Sequence, residues 1–389
     1  MITHSSKLVI DLGNSETRVM TISGRDSRGK SKNNLTVMDN RYAPVPKEKL
    51  GIFLSEEGYN GSNSSLFSLG NDIYYCNGLL CNNEMNETSI KPSALEKKYD
   101  ALTTKLAIVN AFRQGFIDTA KLAGVSLRDI NIDWDLYLLL PPGDLNSGAK
   151  KLAELAKSIS SISFLIPKLE KPVRIKTVKI FPEGLCAFFG VIFESKEVIR
   201  PDYRYLVDPL KSTVIFDIGA GTSDILLAKG GQIVQNSRYS REIGGNNVHR
   251  RVQRDLKDRG ISLPDGVIRK GVTDGYIMSG SRRIDITNEI ESAKSAVSFQ
   301  LVDSVQEFLE SAMISVRTIS NILVCGGGAE MSTTNPNIKP ISDYIVSYMK
   351  RIAPDINTVE MPKVLSNDGN YVSLSPRLLN ITGAGILAE

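Results

Sequence analysis

The sequence predicts an α/β protein made of two halves on one plan, each opening on a β-hairpin and each carrying an inserted subdomain. Three observations lead there. LVIDLGNSETRVM (8–20) and VIFDIGAGTSDILL (214–227) share a register: apolar strand, Asp, apolar residue, Gly, small residues, return strand. The order of elements then repeats: hairpin, insertion, helix, strand, helix, and again hairpin, insertion, helix, a strand ending in glycines, helix. Finally, 389 residues with 41% hydrophobic content suffice for more than one core, and no short-period repeat points to a solenoid instead.

Residues 7–11 (KLVID) form the first strand and Thr17–Ser23 its hairpin partner. From Arg25 to Lys98, polar stretches (RDSRGKSKNN, SEEGYNGSNSS) surround a short strand pair in GNDIYYCNGLL, the pattern of an insertion. Leu102, Leu106, Val109 and Phe112 are spaced for one helix face within Leu95–Gly124. Asp135–Leu140 is a buried strand stopped by Pro141-Pro142-Gly143, followed by a helix at Ala149–Ile159 and a strand at Val173–Phe181. Pro182 is expected to open an apolar helix, PEGLCAFFGVIF, at a first-turn position where its missing N–H costs nothing. Gly244–Lys257 and Thr287–Val316 read as helices. Asn321–Cys325 reads as a strand stopping at Gly326-Gly327-Gly328, and Ile341–Ile352 as a helix before the closing LLNITGAGILAE. The first core is thus 1–24 with 99–181, and 25–98 is its insertion. The second core is 182–243 with 317–379, its subdomain 244–316, and 380–389 a terminal connector.

Composition narrows the function classes. A net charge of +4 with 23% charged residues is compatible with an acidic partner without arguing for one. Cys76, Cys81, Cys186 and Cys325 match no zinc spacing and only two histidines exist. Cys186 and Cys325 sit in apolar stretches as core residues. A Cys76–Cys81 disulfide is the lesser reading, since nothing else suggests secretion. No signal peptide, long apolar run or amphipathic terminal helix is seen, so a soluble cytoplasmic protein without membrane contact is expected.

The chemistry lies in the paired loops. One Asp-x-Gly turn is an ordinary hairpin feature; two in register, one per half, are harder to explain as turns. Each can aim backbone N–H groups inward as an anion nest, and glycine lets backbone approach phosphate oxygens with no Cβ in the way. Two facing nests could clamp a diphosphate, with Asp11 and Asp217 at the strand ends holding Mg²⁺ through its retained waters. No GxxxxGK[ST] occurs, so this is not a P-loop.

Six segments together resemble the actin-like ATPase superfamily, and within it the bacterial plasmid-segregation actins of the ParM type. They are the loops Asp11-Leu-Gly-Asn-Ser and Asp217-Ile-Gly-Ala-Gly-Thr-Ser-Asp224, the connector VKIFPEGLCAFFGV (178–191), the adenosine segments EIGGNNVHRRV (242–252) and NILVCGGGAEM (321–331), and the terminal LLNITGAGILAE. The resemblance implies an actin-like fold of duplicated ribonuclease H-like domains around a nucleotide cleft. Gly13, Asn14, Ser15 and Gly219, Ala220, Gly221, Thr222 would then contact the phosphates of ATP or ADP, with GTP as an alternative. Gly326, Gly327 and Gly328 would let backbone approach the nucleoside, and the helix start at Gly244, Gly245 and Asn246 would meet ribose or phosphate.

Glu183 falls where ParM-type proteins place the carboxylate that orients or deprotonates the attacking water; a first-turn Glu favoured by the helix dipole is its bland alternative. Asp224 would assist the water or is an exposed strand residue. Arg18 would contact phosphate or is a solvent-facing cation. His249, among Arg250, Arg251 and Arg254, reads as part of a solvated cationic helix face, and Trp134 as packing. The resemblance further implies filaments formed by self-association, disassembly on hydrolysis, and a DNA-binding adaptor linking them to centromeric plasmid DNA. Other members of the superfamily, such as small-molecule kinases and cell-shape or division actins, remain alternatives because one fold hosts many functions.

Overall fold

A computed structural model describes residues 2–25, 31–55, 64–69, 73–78, 81, 89–90, 92, 97–165, 168–331, 334–365 and 371–389. Most of SEEGYNGSNSS, half of RDSRGKSKNN, both ends of GNDIYYCNGLL and the first residues of the helix expected from Leu95 lie outside the described residues. The chain divides into two compact units, Met1–Pro182 with Ala384–Glu389, and Glu183–Gly383.

In the first unit, β1 (Ile2–Leu12), β2 (Glu16–Arg25) and β3 (Ser31–Asp39) form an antiparallel meander. Next come β4 (Tyr42–Val45), α1 (Lys47–Ser55), β5 (Ser64–Ser68), β6 (Tyr74–Gly78), α2 (Leu102–Ala123), β7 (Ile130–Leu140), α3 (Leu145–Lys157), β8 (Ser161–Leu165), β9 (Lys168–Pro172) and β10 (Arg174–Pro182). The main sheet has the order β10-β7-β1-β2-β3, with β7 parallel to both β1 and β10. Parallel strands covered on both faces need continuous apolar runs, and Leu8, Val9, Ile10, Leu136, Leu138 and Leu140 are all buried. Trp134 is fully buried between Phe112 and Phe116, at 5.9 and 5.5 Å, so it packs the core.

Two boundaries differ from the expectation. Ser31–Asp39 falls inside the 25–98 stretch yet is the outer strand of the main sheet. Its polar sequence suits an edge strand with one partner. The insertion proper builds a second, antiparallel sheet, β4-β6-β5-β8-β9, completed by the later β8–β9 hairpin. The helix begins at Leu102 because Ala101 is extended (φ −80°, ψ 137°), and it ends where Gly124 turns left-handed at φ 69°. Cys76 and Cys81 are buried and not joined in a disulfide.

The second unit opens with α4 (Leu185–Ile192) and a short ribbon, β11 (Phe193–Ser195) with β12 (Val198–Ile199). Then follow β13 (Ser212–Ile218), β14 (Ser223–Lys229), β15 (Gln232–Arg241), α5 (Gly245–Asp258), α6 (Asp265–Asp274), β16 (Tyr276–Ser279), β17 (Arg282–Asp285) and α7 (Thr287–Ser311). The remainder is β18 (Asn321–Cys325), the single turn α8 (Gly327–Glu330), α9 (Ile341–Ile352), β19 (Asn357–Thr358), a hairpin of β20 (Lys363–Leu365) and β21 (Tyr371–Ser373), and α10 (Leu379–Ala388). Its sheet order is β15-β14-β13-β18-β19, an antiparallel meander with two parallel strands on one side. Strand for strand this is the topology of the first unit's main sheet, so the duplication read from two hairpins extends to whole sheets.

Every residue of β13 is buried, and successive side chains enter different cores. Val214, Phe216 and Ile218 pack under α5, α7 and α9. Ile215 joins Leu226, Leu323, Ala187 and Phe188 on the opposite face, beneath α4. Pro182 does not open α4: it is the last residue of β10, and the helix starts at Leu185 because Gly184 has φ 70°. The helix expected to reach Val316 stops at Ser311, before Met313 at φ 57°.

Candidate functional site

The sequence-predicted glycines of the second unit converge on one turn. Gly219–Thr222 closes the β13–β14 hairpin through a 2.8 Å bond from Gly219 N–H to the Thr222 carbonyl. The first amides of α5 donate to this turn, Gly245 to the Gly219 carbonyl at 3.1 Å and Asn246 to the Ala220 carbonyl at 2.7 Å. A Cβ on Gly244 would lie 2.7 Å from the Gly219 oxygen, and one on Gly328 would lie 2.6 Å from it. Gly326, at φ 88°, would place a Cβ 2.4 Å from the Ile218 oxygen and 2.6 Å from Asp217 Oδ1. Three separated glycine segments are therefore needed because three pieces of backbone meet where no side chain fits.

This changes the part expected of the α5 start. The Gly245 and Asn246 amides are engaged by the loop's carbonyls, so they brace the turn rather than face a ligand. Asn246 Oδ1 accepts from Arg269 at 2.9 Å. Among the described residues, the amides of Ala220, Gly221 and Thr222 donate to no backbone carbonyl, and successive amides of a turn are the groups from which an anion nest is made.

Asp217 and Asp224 are directly opposed in the β13–β14 ladder and are both buried, at 6% and 5% exposure. Cross-strand partners point to one face, here the face of Ile215 and Leu226 under α4. Asp217 Oδ2 accepts from Asn380 Nδ2 at 2.7 Å, and Asp224 Oδ1 accepts from the Ser240 hydroxyl. The Cys325 thiol is pushed up by burial first and then by both carboxylates, which marks their closeness to its Sγ. Asp224 is thus not an exposed strand residue.

Two buried acids with hard oxygen donors suit a cation that keeps most of its waters, as Mg²⁺ does. Among the described residues no set of three or more His, Cys, Asp or Glu side chains could hold a metal. Glu183 is half-buried in the turn before α4, not in a helical first turn. A Cβ on the adjoining Gly184 would lie 2.5 Å from Leu226 Cδ1, so this turn rests on the strand face that carries Asp224.

The first unit's loop is built differently. Arg18 Nη1 pairs with Asp11 Oδ2 at 2.9 Å, and its Nη2 lies 3.5 Å from Glu16 Oε2. Its side chain is 11% exposed, so the solvent-facing reading fails. With a guanidinium already against it, Asp11 is a poorer metal candidate than Asp217. A Cβ on Gly13 would lie 2.6 Å from the Glu16 oxygen, so the hairpin itself requires this glycine. Asn14 and Ser15 form the turn. Asn40, not singled out in the sequence, braces it: its amide donates to the Ser15 carbonyl at 3.0 Å and its Nδ2 to the Gly13 carbonyl at 2.5 Å.

Beside the Gly326–Gly328 segment, a cavity of about 250 Å³ is lined by His249, Val272, Thr273, Gly327, Glu330, Met331 and Arg377. His249 therefore leaves the cationic face on which Arg250 and Arg254 stay exposed. Burial, then the Arg269 charge, pushes its imidazole down to about 4, so it is neutral at physiological pH. A larger cavity of about 870 Å³, with Arg200, Tyr203, Tyr205, Glu360 and Tyr371 in its wall, shares no residue with these motifs.

Lys294, on α7 and fully buried, holds the cavity from behind. Its Nζ donates to the Met331 carbonyl at 2.9 Å and the Lys339 carbonyl at 3.0 Å. Met331 has φ 23°, a strained backbone that such a clamp stabilises. Burial pushes the Lys294 ammonium down to about 8, against the charges of Glu291 and Asp343. A folded pKa below the unfolded one means the unfolded chain binds more protons between the two. The stability this contributes is complete above the ordinary lysine range and is lost as pH falls through about 8. Urea unfolding is expected to show the wild type gaining stability from pH 8 to 10 relative to Lys294→Met; equal slopes would refute it.

Residues 215–335 match the family model described as archaeal actin homologue MreB-like, C-terminal. The chain is 25% identical over 168 residues to the actin-like protein MamK of Paramagnetospirillum magneticum, a match over 38% of this chain and 48% of that protein. The match thus spans about half the length of that relative. Among solved structures, a 15-stranded ParM filament from Clostridium botulinum superposes with TM-score 0.67 at 15% identity over 98% of each chain. The archaeal actin homolog Ta0583 in complex with ADP gives 0.59 at 14% identity, over 98% of this chain and 96% of that one. Likenesses at these identities speak for the fold, and the fold is actin-like.

Proposed function

We propose that this actin-like chain is a nucleotide-dependent ATPase that assembles into filaments, with hydrolysis destabilising the polymer. The observation that carries it is the convergence of three glycine segments on the 219–222 turn, beside the buried Asp217–Asp224 pair. A strand-to-strand turn alone needs one such glycine; a turn shaped to receive phosphate needs bare backbone on every side. An ADP complex of one fold relative and a filament of another support the two halves of the reading.

In this reading the amides of Ala220, Gly221 and Thr222 bind phosphate oxygens; the Gly13–Ser15 loop of the first unit is a phosphate loop on the strength of the resemblance alone. Asp217, with Asp224 beside it, would hold Mg²⁺, which supplies charge neutralisation on the phosphates when bound. Glu183 orients the attacking water and takes its proton. The 250 Å³ cavity takes the nucleoside, with neutral His249 and Thr273 at its polar wall. ATP over GTP follows from the resemblance alone.

The finer role is plasmid DNA segregation through a DNA-binding adaptor, which rests on the ParM resemblance. The match to the actin-like protein MamK, of which a double helical filament is known, favours a second reading, a filament with a cytoskeletal role other than plasmid segregation. Among the described residues no helix is long and apolar enough to cross a membrane.

Light scattering tests the core of the proposal. Adding ATP and Mg²⁺ to the purified chain is expected to raise scattering, which decays as phosphate is released. No rise up to the solubility limit, together with sugar-stimulated ADP production, would replace the filament ATPase by a small-molecule kinase.

A further inference from the structure

The chain passes from the first unit to the second between Pro182 and Glu183, and back between Gly383 and Ala384. One side chain touches the backbone beside the first passage and belongs to the helix that makes the second. Asn380, 8% exposed, accepts through Oδ1 from the Gly184 amide at 2.8 Å and the Ala187 amide at 3.1 Å. Through Nδ2 it donates to Asp217 Oδ2 at 2.7 Å. Its backbone is held at glycine-only distance from α4. A Cβ on Gly190 would lie 2.7 Å from the Leu379 oxygen, and one on Gly383 would lie 1.7 Å from the Cys186 oxygen.

We infer that Asn380 is a positioning residue that locks the Glu183 turn in register with Asp217 and transmits nucleotide occupancy at Asp217 to both chain passages. An amide side chain suits this task because it offers an acceptor and a donor at once. The acceptor fixes the amide that follows Glu183, and with it the direction in which the carboxylate leaves the turn. The donor fixes one oxygen of Asp217. An Asp at this position keeps the acceptor and loses the donor, and a Leu satisfies neither side. α10 also carries the residues after Gly383 into the first unit, where Lys7 Nζ donates to the Ala388 carbonyl at 2.6 Å. A shift of Asn380 therefore has a rigid element to act on. The inference rests on the nucleotide reading above and goes beyond it in naming what couples the site to the passages.

The test uses the full chain, its wild type, Asn380→Ala and Asn380→Asp. Hydrogen exchange of the 183–190 segment is measured with and without ATP and Mg²⁺, alongside nucleotide binding followed with a fluorescent ADP analogue. In the wild type, nucleotide is expected to slow exchange of 183–190 by at least about threefold. Asn380→Asp keeps the acceptor for Gly184 and Ala187 and loses the donor to Asp217. It is expected to keep the nucleotide-free protection, lose the nucleotide response, and lower kcat at least about tenfold with KM within about threefold, the split a misaligned base produces. Asn380→Ala is expected to exchange fast in both states; should it fail to fold, the Asp variant carries the test. A nucleotide response in Asn380→Asp equal to the wild type's overturns the coupling while leaving the ATPase reading intact. A wild type that binds no nucleotide overturns both, and the binding measurement tells the two failures apart.

Discussion

Glu183→Gln is expected to lower steady-state phosphate release by roughly 10²–10⁴-fold, the usual worth of a positioned general base, while assembly on ATP addition persists. Scattering should then rise and hold, giving longer-lived polymers. The structural ground is the place of the residue. It sits half-buried in a turn resting on the face of β14 that carries Asp224, immediately before an amide clamped by Asn380. Gln keeps the shape and the hydrogen-bonding reach and removes only the basicity, so the fold is undisturbed and the loss reports chemistry. Phosphate release at the wild-type rate would remove Glu183 from the mechanism and leave the water to another group.

The largest stability effect is expected at Gly383→Ala. Glycine inside a helix normally costs about 0.5–1 kcal/mol relative to alanine, so propensity alone predicts a stabilised protein. Packing reverses the sign. The new Cβ would stand 1.7 Å from the Cys186 carbonyl oxygen and 2.7 Å from Gly190 N, both backbone atoms that no side-chain rotation can move. α4 and α10 must separate, taking Asn380 away from its three partners. We expect a loss of about 3 kcal/mol or more in urea unfolding. Gly385→Ala, two residues on, is the control. Its Cβ would meet Met20 Sδ at 2.4 Å, the flexible end of a thioether, and should cost no more than about 1 kcal/mol. Equal effects at the two positions would show that α4–α10 approach is not what Gly383 serves.

Much of the fold was legible because its determinants are local. Alternation and burial in LVIDL and VIFDI, a Gly-bearing turn and a return strand define each hairpin without help from distant residues. The helix ends at Gly124 and Ile352 follow from glycine chemistry and periodicity. Where legibility failed, the deciding partner was far away in sequence. Ser31–Asp39 looks like polar insertion because an edge strand needs only one hydrogen-bonded neighbour, and nothing in SKNNLTVMD names β2 as that neighbour. Pro182 looks like a helix opener until Gly184, at φ 70°, interrupts the start. His249 looks solvated because its neighbours are arginines, while its own position on α5 turns it toward Gly327 and Met331.

The sequence by itself determined the duplicated α/β plan, the two glycine-bearing hairpins and the glycine segments, since strand pattern, turn chemistry and Cβ-free backbone are properties of a few neighbouring residues. Only the tertiary structure decided what those segments do. The α5 amides brace a loop instead of facing a ligand, Arg18 is taken by Asp11, Lys294 clamps the strained Met331, and Asn380 joins the Glu183 turn to Asp217. Each of these is a hydrogen bond or ion pair set by three-dimensional approach. Apart from the Asp11–Arg18 pair, their partners lie tens to hundreds of residues apart, and no local pattern encodes them.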